Sequence, residues 1–182
     1  MKIVYCTDSI CYAGGIQRIT VAKANALAEI KGNEVWIIVT DNKQKPVLSI
    51  SDKVHIIDLD VNYFEDDWKS KWHVLKGILV KRKIHKKRLT TVLNQIQPDI
   101  VISTGTSEKN FLPKISVKSK PAFVREIHQP RNYRLLSADN FFDKFIAIGG
   151  NLIDYHFSIK NYDKQLFLQK KIIKTTGKTI QE

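Results

Sequence analysis

Six short runs of apolar residues, each about the length of a β-strand, constrain the fold of this chain more than any other feature. Most of these runs are continuously apolar instead of alternating with polar residues, which is typical of parallel strands covered by helices on both faces. The sequence therefore predicts a mostly parallel sheet. Its strands are expected at Ile3–Cys6, Val35–Val39, Val54–Leu59, Ile100–Ile102, Ala122–Val124 and Phe145–Ile148.

Helical patterns fill the intervals between the runs. The predicted helices are Gly15–Lys31, about Trp68–Gln97, a short one after Ser107, and one after Gly150 with Asn151 as its N-cap. Gly32 is placed as the C′ residue of the first helix, and Pro98 ends the second, which Gly77 and nearby basic residues could divide in two. Strands that alternate with helices predict an α/β fold with a doubly wound, mostly parallel Rossmann-like sheet and helices on both of its faces.

The loop between the first strand and the first helix carries the pair Gly14-Gly15. A helix that begins at the carboxyl end of a strand presents free N–H groups that attract anions, and glycine lets a ligand approach the backbone. The loop does not fit the dinucleotide fingerprint G-x-G-x-x-G, because Ala13 and Arg18 stand at glycine positions, and the chain has no G-x-x-x-x-G-K-[ST] loop. In the alternative interpretation, the glycines only permit a tight turn with positive φ.

In a doubly wound sheet, ligands bind where the strand order reverses, here between the first and fourth strands. Three segments should meet there: Asp8–Arg18, Ser103–Ser107 and Arg125–Arg131. The candidate binding residues are Gly14, Gly15, Gln17, Arg18, Thr104, Thr106, Arg125 and Glu126, and His128 is the candidate catalytic residue. A histidine can transfer protons or hold a hydroxyl near neutral pH. In the alternative interpretation, His128 is an ordinary loop residue, Arg125 pairs with Glu126, and Arg18 is simply exposed to solvent.

Charge and cysteine content limit the partners and the compartment. Lys and Arg number 30 against 18 Asp and Glu, a net charge of +12 that favours phosphate-rich or anionic-lipid surfaces. Two cysteines at Cys6 and Cys11 give neither a disulfide framework nor metal-ligand spacing, and no secretory signal or apolar stretch of roughly 20 residues is apparent. We therefore expect a cytoplasmic protein whose membrane contact, if any, is peripheral and on the inner face.

One segment favours such a contact. Lys69–Arg88 carries nine Lys and Arg residues and no acid, interleaved with Trp72, Leu75, Ile78 and Leu79. Aromatic and aliphatic residues beside dense positive charge suit a helix lying on an anionic membrane. The alternative is a solvated basic face on a helix whose apolar side packs on the sheet.

Several segments together resemble a known family. Ala13-Gly14-Gly15-Ile16-Gln17-Arg18, Ala24-Asn25-Ala26-Leu27-Ala28, Gly32-Asn33-Glu34-Val35 and Gln97-Pro98-Asp99-Ile100-Val101-Ile102 are similar to motifs in the amino-terminal half of family 4 retaining glycosyltransferases of GT-B architecture. The resemblance spans about residues 1–150. Gln17 stands where that family often has Glu, and Asn33 replaces a frequent His.

The resemblance implies that residues 1–162 form one half of a GT-B fold, the half that binds the sugar acceptor. A second Rossmann-like domain would bind the nucleotide-sugar donor, and residues 163–182 would form a basic tail or the start of a connection to it. It further implies a hexosyltransferase that works with retention and without a metal or other cofactor on a cell-surface polysaccharide or a lipid-linked acceptor. His128 would contact the sugar, while Thr104 and Thr106 would face the acceptor. This chain alone is then expected to be inactive, as a fragment, a truncated gene product or one chain of a split enzyme.

Two alternatives come from other functional classes. The first is a non-catalytic subunit that recruits a separate donor-binding protein to a membrane. The second, which the absence of a recognised motif disfavours, is a basic α/β domain that binds nucleic acid through its charge.

Overall fold

A six-stranded parallel sheet organises this protein in the computed structural model, which describes residues 1–63, 71–105, 107–108, 111–128 and 144–147, with the backbone alone for residues 71–76 and 144–147. The strands are β1 (Lys2–Thr7), β2 (Glu34–Val39), β3 (Val54–Asp58), β4 (Ile100–Ser103), β5 (Ala122–Ile127) and β6 (Lys144–Ala147). Their order is β3-β2-β1-β4-β5-β6, and all neighbouring strands run parallel. The six predicted strands and the Rossmann-like topology are therefore confirmed.

Helix α1 (Gly15–Ala28) covers one face of the sheet. Its buried residues Val21, Ala24 and Ala28 join a core cluster with inward-facing side chains of the strands, among them Tyr5 and Ile102. These positions follow the three- to four-residue spacing of one helix face, which explains why this stretch forms a helix against the sheet.

Helix α2 (Lys71–Ile96) covers the opposite face. Its buried residues Leu89, Leu93 and Ile96 pack with strand residues of the opposite parity, including Val4 and Val101. The helix runs through Gly77 without a break, so it is not divided in two. It ends where Gln97 adopts a left-handed conformation with φ of 53°, immediately before Pro98.

Two helix predictions need correction, and one lies outside the described residues. Helix α1 ends at Ala28 with Glu29 as its C-cap, so Gly32 is not its C′ residue. Gly32 instead takes φ of 89° in the turn in which the amide of Asn33 donates to the carbonyl of Ile30, a position that requires left-handed backbone. After Ser107 the described residues have 3₁₀ structure, at Glu108 and at Leu112–Lys114, while residues 109–110 lie outside those described. The helix predicted after Gly150 falls on residues outside those described.

Candidate functional site

The loop that leads into α1 has an extended backbone. Gly14 is the N-cap with φ of −73° and ψ of 168°, and it has no side-chain cap. The positive-φ interpretation of the glycine pair is therefore wrong, since Gly32 is the only described glycine with positive φ. A Cβ on Gly14 would collide with Oε1 of the buried Gln17 side chain, whereas a Cβ on Gly15 would meet nothing within 4 Å. A side chain at Gly14 would have to displace the end of the Gln17 side chain, while Gly15 leaves open space at the start of the helix.

Arg18 lies on the first turn of α1 with its side chain exposed. Its Nε donates to the carbonyl of Ala13 at 3.1 Å, and its backbone amide donates to Gly14 at 3.0 Å. The guanidinium therefore braces the loop from the solvent side. Among the residues described, no hydrogen bond or ion pair joins Arg18 to the polar side chains of β5.

The end of β4 carries a buried polar segment. The amide and hydroxyl of Thr104 both donate to the carbonyl of Cys6, at 2.9 Å and 3.0 Å, and Thr104 is buried. This hydroxyl therefore ties β4 to β1 instead of facing solvent. Thr106 lies outside the described residues.

Glu108, which the sequence analysis did not single out, is the main acceptor in this segment. Its Oε1 accepts hydrogen bonds from Ser103 Oγ at 2.9 Å and from the Gly105 amide at 2.8 Å, and the residue is 1% exposed. A glutamate that caps an amide three residues earlier is one half of a capping box. The position three residues before Glu108 is Gly105 and not Ser or Thr, so the sequence lacks the usual signal of a capping box and nothing local identifies Glu108.

A second carboxylate lies close to Glu108. A Cβ on Gly105 would stand 2.6 Å from Glu108 Oε2 and 2.9 Å from Asp8 Oδ1, so both groups crowd the same glycine. Burial, followed by the negative charge of Asp8, raises the pKa of Glu108 to about 7, and Arg125 opposes that rise. Glu108 can therefore exchange a proton near neutral pH.

Arg125 is buried on the same face of the sheet as Glu108. Its Nη1 donates to Ser103 O at 3.1 Å, Ser103 Oγ at 2.6 Å and Gly105 O at 2.5 Å, and it lies 3.9 Å from Glu108 Oε1. The alternative in which Arg125 pairs with Glu126 is wrong, because successive residues of a strand point to opposite faces.

Glu126 and His128 point to the α1 face. Glu126 Oε1 accepts a hydrogen bond from Lys23 Nζ of α1 at 2.6 Å and lies 3.3 Å from His128 Nε2. The Glu126 side chain is fully buried and that of His128 is 6% exposed. Burial lowers the pKa of His128, the charge of Glu126 raises it, and Lys23 and Arg125 lower it. Lys23 was missed, because nothing in a helix sequence identifies a partner 103 residues away.

A histidine and aromatic cluster lies further along the α2 face. His85 is 1% exposed, its Nδ1 lies 3.2 Å from the hydroxyl of Tyr63, and its ring meets that of Phe111 edge-on with centroids 4.9 Å apart. Burial lowers the pKa of His85 to about 4, although Asp8 and Asp41 oppose the change. The sequence analysis did not identify this residue, because a histidine on a buried helix face carries no distinctive motif.

Several buried polar atoms at the end of β5 have no hydrogen-bond partner among the described residues. They are Arg125 Nε, Glu126 Oε2 and both ring nitrogens of His128. Glu108 Oε2 on the neighbouring loop is also buried without a hydrogen-bond partner. Buried polar groups are almost always hydrogen-bonded. A concentration of such atoms at the carboxyl ends of adjacent parallel strands is what a polar ligand would satisfy.

These observations define the class of the protein as a Rossmann-like α/β domain with a buried polar site at its crossover. Comparison with protein-family models finds no match, and no curated protein sequence matches the chain. In the described part of the chain, no helix has the length and apolarity to cross a membrane, and no group of three or more His, Cys, Asp and Glu side chains is arranged to hold a metal ion.

Proposed function

We propose that this chain is the acceptor-binding, amino-terminal Rossmann-like domain of a retaining glycosyltransferase of GT-B architecture. The whole enzyme would transfer a sugar from a nucleotide-sugar donor, held by a second domain or partner chain, to a cell-surface polysaccharide or glycolipid acceptor. The supporting observation is the set of unpartnered, buried donors and acceptors at the end of β5, next to the β1–β4 crossover. A polyhydroxylated ligand both donates and accepts hydrogen bonds, so it suits a site that offers both kinds of group.

The open space at Gly15 supports the same proposal. The first amides of α1 have no partner within the helix, and their partial positive charge favours phosphate or a sugar hydroxyl oxygen. Because a Cβ at Gly15 would meet nothing, a ligand can approach this backbone closely. The exposed Arg18 guanidinium adds positive charge on the same turn.

The test is ligand binding by the full 182-residue chain, followed by amide NMR. Methyl hexosides and short oligosaccharides should shift the amides of Gly15 and His128. UDP without a sugar can shift Gly15, since its phosphates are attracted to the first amides of α1, but it should leave His128 unchanged. The exposed Lys87→Met variant should bind these sugars like the wild type. Failure of every saccharide in the panel to shift these amides would contradict the proposal.

We also expect no sugar transfer by this chain alone. Incubation with a panel of nucleotide sugars and lipid acceptors should release no nucleotide diphosphate beyond the rate of background hydrolysis. Robust turnover would contradict the assignment of the donor site to a second domain, but not the proposed acceptor site in this chain.

A second candidate function is recruitment to a membrane as a non-catalytic subunit. Leu79 and Val80 are 50% and 49% exposed on α2, beside the exposed basic residues Arg82 and Lys83. Apolar side chains next to positive charge favour the interface of an anionic bilayer. Leu79→Ser should weaken binding to phosphatidylglycerol vesicles several-fold, while Ile30→Ser, a control at a 55% exposed position outside α2, should not. If both variants bound the vesicles equally, the basic face of α2 would be a solvated surface and not a membrane-binding one.

A further inference from the structure

Three side chains from two elements meet at one carboxylate oxygen on the α1 face. Glu126 Oε1 on β5 lies 2.6 Å from Lys23 Nζ on α1 and 3.3 Å from His128 Nε2, just beyond β5. The Lys23 side chain is 35% exposed, so its ammonium reaches a buried carboxylate from the rim of the site. This arrangement affects the protonation state and the tautomer in which His128 contacts a ligand.

The charges around the site favour a neutral imidazole. Lys23 already balances Glu126, so a proton added to His128 would place a second positive charge close to Lys23 and to Arg125. Burial also disfavours the charged form. These causes together lower the pKa of His128, against the attraction of Glu126. Tyr5 on β1, whose pKa is raised by burial and by the charge of Glu126, stays protonated and adds no charge.

The position of Glu126 also selects the tautomer. In a neutral imidazole one nitrogen carries hydrogen and the other a lone pair. Nε2 lies 3.3 Å from the carboxylate oxygen without making a hydrogen bond to it, and the negative charge at that distance favours hydrogen on Nε2, so that the lone pair falls on Nδ1. Both ring nitrogens are buried and have no hydrogen-bond partner among the described residues, so the lone pair on Nδ1 is available to a ligand.

We propose that Lys23 is a positioning residue for His128: by holding Glu126 it keeps His128 as the neutral Nε2–H tautomer, whose Nδ1 accepts a hydrogen bond from a ligand hydroxyl. The choice of a hydroxyl rests on the proposed function. It also sharpens that function, since a lone pair on Nδ1 repels phosphate oxygens and attracts hydroxyl hydrogens. His128 is thereby assigned to a sugar ring of the ligand and not to a phosphate group.

The first experiment is an NMR titration of the histidine rings in the full chain without ligand. The chain has five histidines, and His128→Gln assigns the signal. The wild-type ring nitrogens should show hydrogen on Nε2 and none on Nδ1. In Lys23→Met the pKa of His128 should rise, because the charge of Glu126 is no longer balanced by the lysine.

Two controls separate charge from fold. Lys23→Arg retains the charge and should leave the pKa of His128 close to the wild-type value, and so should Lys31→Met, at an exposed lysine in the turn after α1. Glu126→Gln removes the one attractive charge and should lower the pKa of His128 further, which provides a second test if Lys23→Met does not fold. An unchanged pKa in a folded Lys23→Met variant, or hydrogen on Nδ1 in the wild type, would overturn the positioning role.

A methyl hexoside titration then separates this inference from the proposed function. The hexoside should shift the Nδ1 resonance, and its affinity should fall several-fold in Lys23→Met at a pH between the two His128 pKa values. If the ring titrates as expected but no hexoside reaches Nδ1, the positioning by Lys23 stands and the sugar assignment fails. If hexosides bind but leave Nδ1 unaffected, the acceptor role of His128 is wrong while the acceptor-binding domain survives.

Discussion

Each face of the sheet has one buried glutamate at the carboxyl edge, and the two carboxylates are contacted by different kinds of group. On the α1 face, Glu126 touches an ammonium at 2.6 Å. On the α2 face, Glu108 is held by a hydroxyl and a backbone amide, its nearest positive charge is 3.9 Å away at Arg125, and Asp8 is close to it.

This difference shows how the carboxyl edge of one sheet can hold two buried glutamates with different roles. A direct ionic contact with Lys23 holds the Glu126 side chain in place, beside its neighbour His128. Burial, followed by the negative charge of Asp8, raises the pKa of Glu108 to about 7, so this group exchanges a proton in the physiological range. One face therefore positions a group, and the other responds to pH.

The largest expected effect comes from removing the cation of the α2 face. Arg125→Met would leave the carbonyls of Ser103 and Gly105 without their buried donor and Glu108 without its nearest positive charge. We expect the free energy of unfolding to fall by about 3–5 kcal/mol, the usual cost of removing one partner of a buried ion pair. Urea denaturation at pH 7.5 measures this change.

The matched control is Arg18→Met, at an exposed arginine that makes one loop hydrogen bond from its side chain. Its cost should stay below about 1 kcal/mol. If Arg125→Met unfolded at the same urea concentration as Arg18→Met, the α2 face would not depend on its arginine.

A second, smaller effect concerns pH. The pKa of Glu108 is about 7 in the folded chain and 4.5 for an ordinary glutamate, so the folded state holds more protons than the unfolded state between these values. The stability that Glu108 contributes is therefore complete below pH 4.5 and is lost as the pH rises to 7. Glu108→Gln should remove this dependence, which amounts to about 3 kcal/mol.

The pH effect must be measured as a difference, because His85 acts in the opposite direction. Its folded pKa of about 4 lies below the ordinary 6.5, so its contribution is present above pH 6.5 and is lost as the pH falls to 4. The stability of the wild type minus that of Glu108→Gln, from urea curves at several pH values, isolates the carboxyl group. A difference that stays constant from pH 4.5 to 7.5 would contradict the pH-responsive role. The same curves for Glu34→Gln, at an exposed glutamate, provide the control for the substitution itself.

The sequence was sufficient to predict the fold, because the strands and helices are marked by local patterns of apolar residues and by helix-terminating residues. The continuous apolar runs located all six strands, and the approach to Pro98 located the end of α2 within a residue. Local cues failed where two signals competed, as at Gly32, where a glycine read as a helix terminus belongs to the next turn.

The site was less accessible to sequence reasoning. The expected edge and three of its residues, Arg125, Glu126 and His128, do carry the buried polar groups. Their partners could not be predicted, because Lys23 reaches Glu126 only once α1 is packed on the sheet. The predicted strand ended at Val124, whereas β5 continues to Ile127, so the alternation that places Arg125 and Glu126 on opposite faces was not applied to them.

The smallest effect tests whether the two edge glycines serve packing or ligand access. In Gly105→Ala the new methyl group would meet Glu108 Oε2 and Asp8 Oδ1 within 3 Å, and Glu108 is anchored by two hydrogen bonds, so a loss of about 1–2 kcal/mol is expected in urea denaturation. In Gly15→Ala the methyl group meets nothing within 4 Å, and alanine favours a helix over glycine by up to about 1 kcal/mol, so stability should hold or rise. Equal losses of stability in both variants would mean that the two glycines do not differ in their role in packing.

The Gly15→Ala variant also tests ligand access, because it should fold normally. A weaker response of its α1 amides to methyl hexosides would mean that ligand approaches the backbone there. An unchanged response would restrict the binding site to the buried groups of β4 and β5.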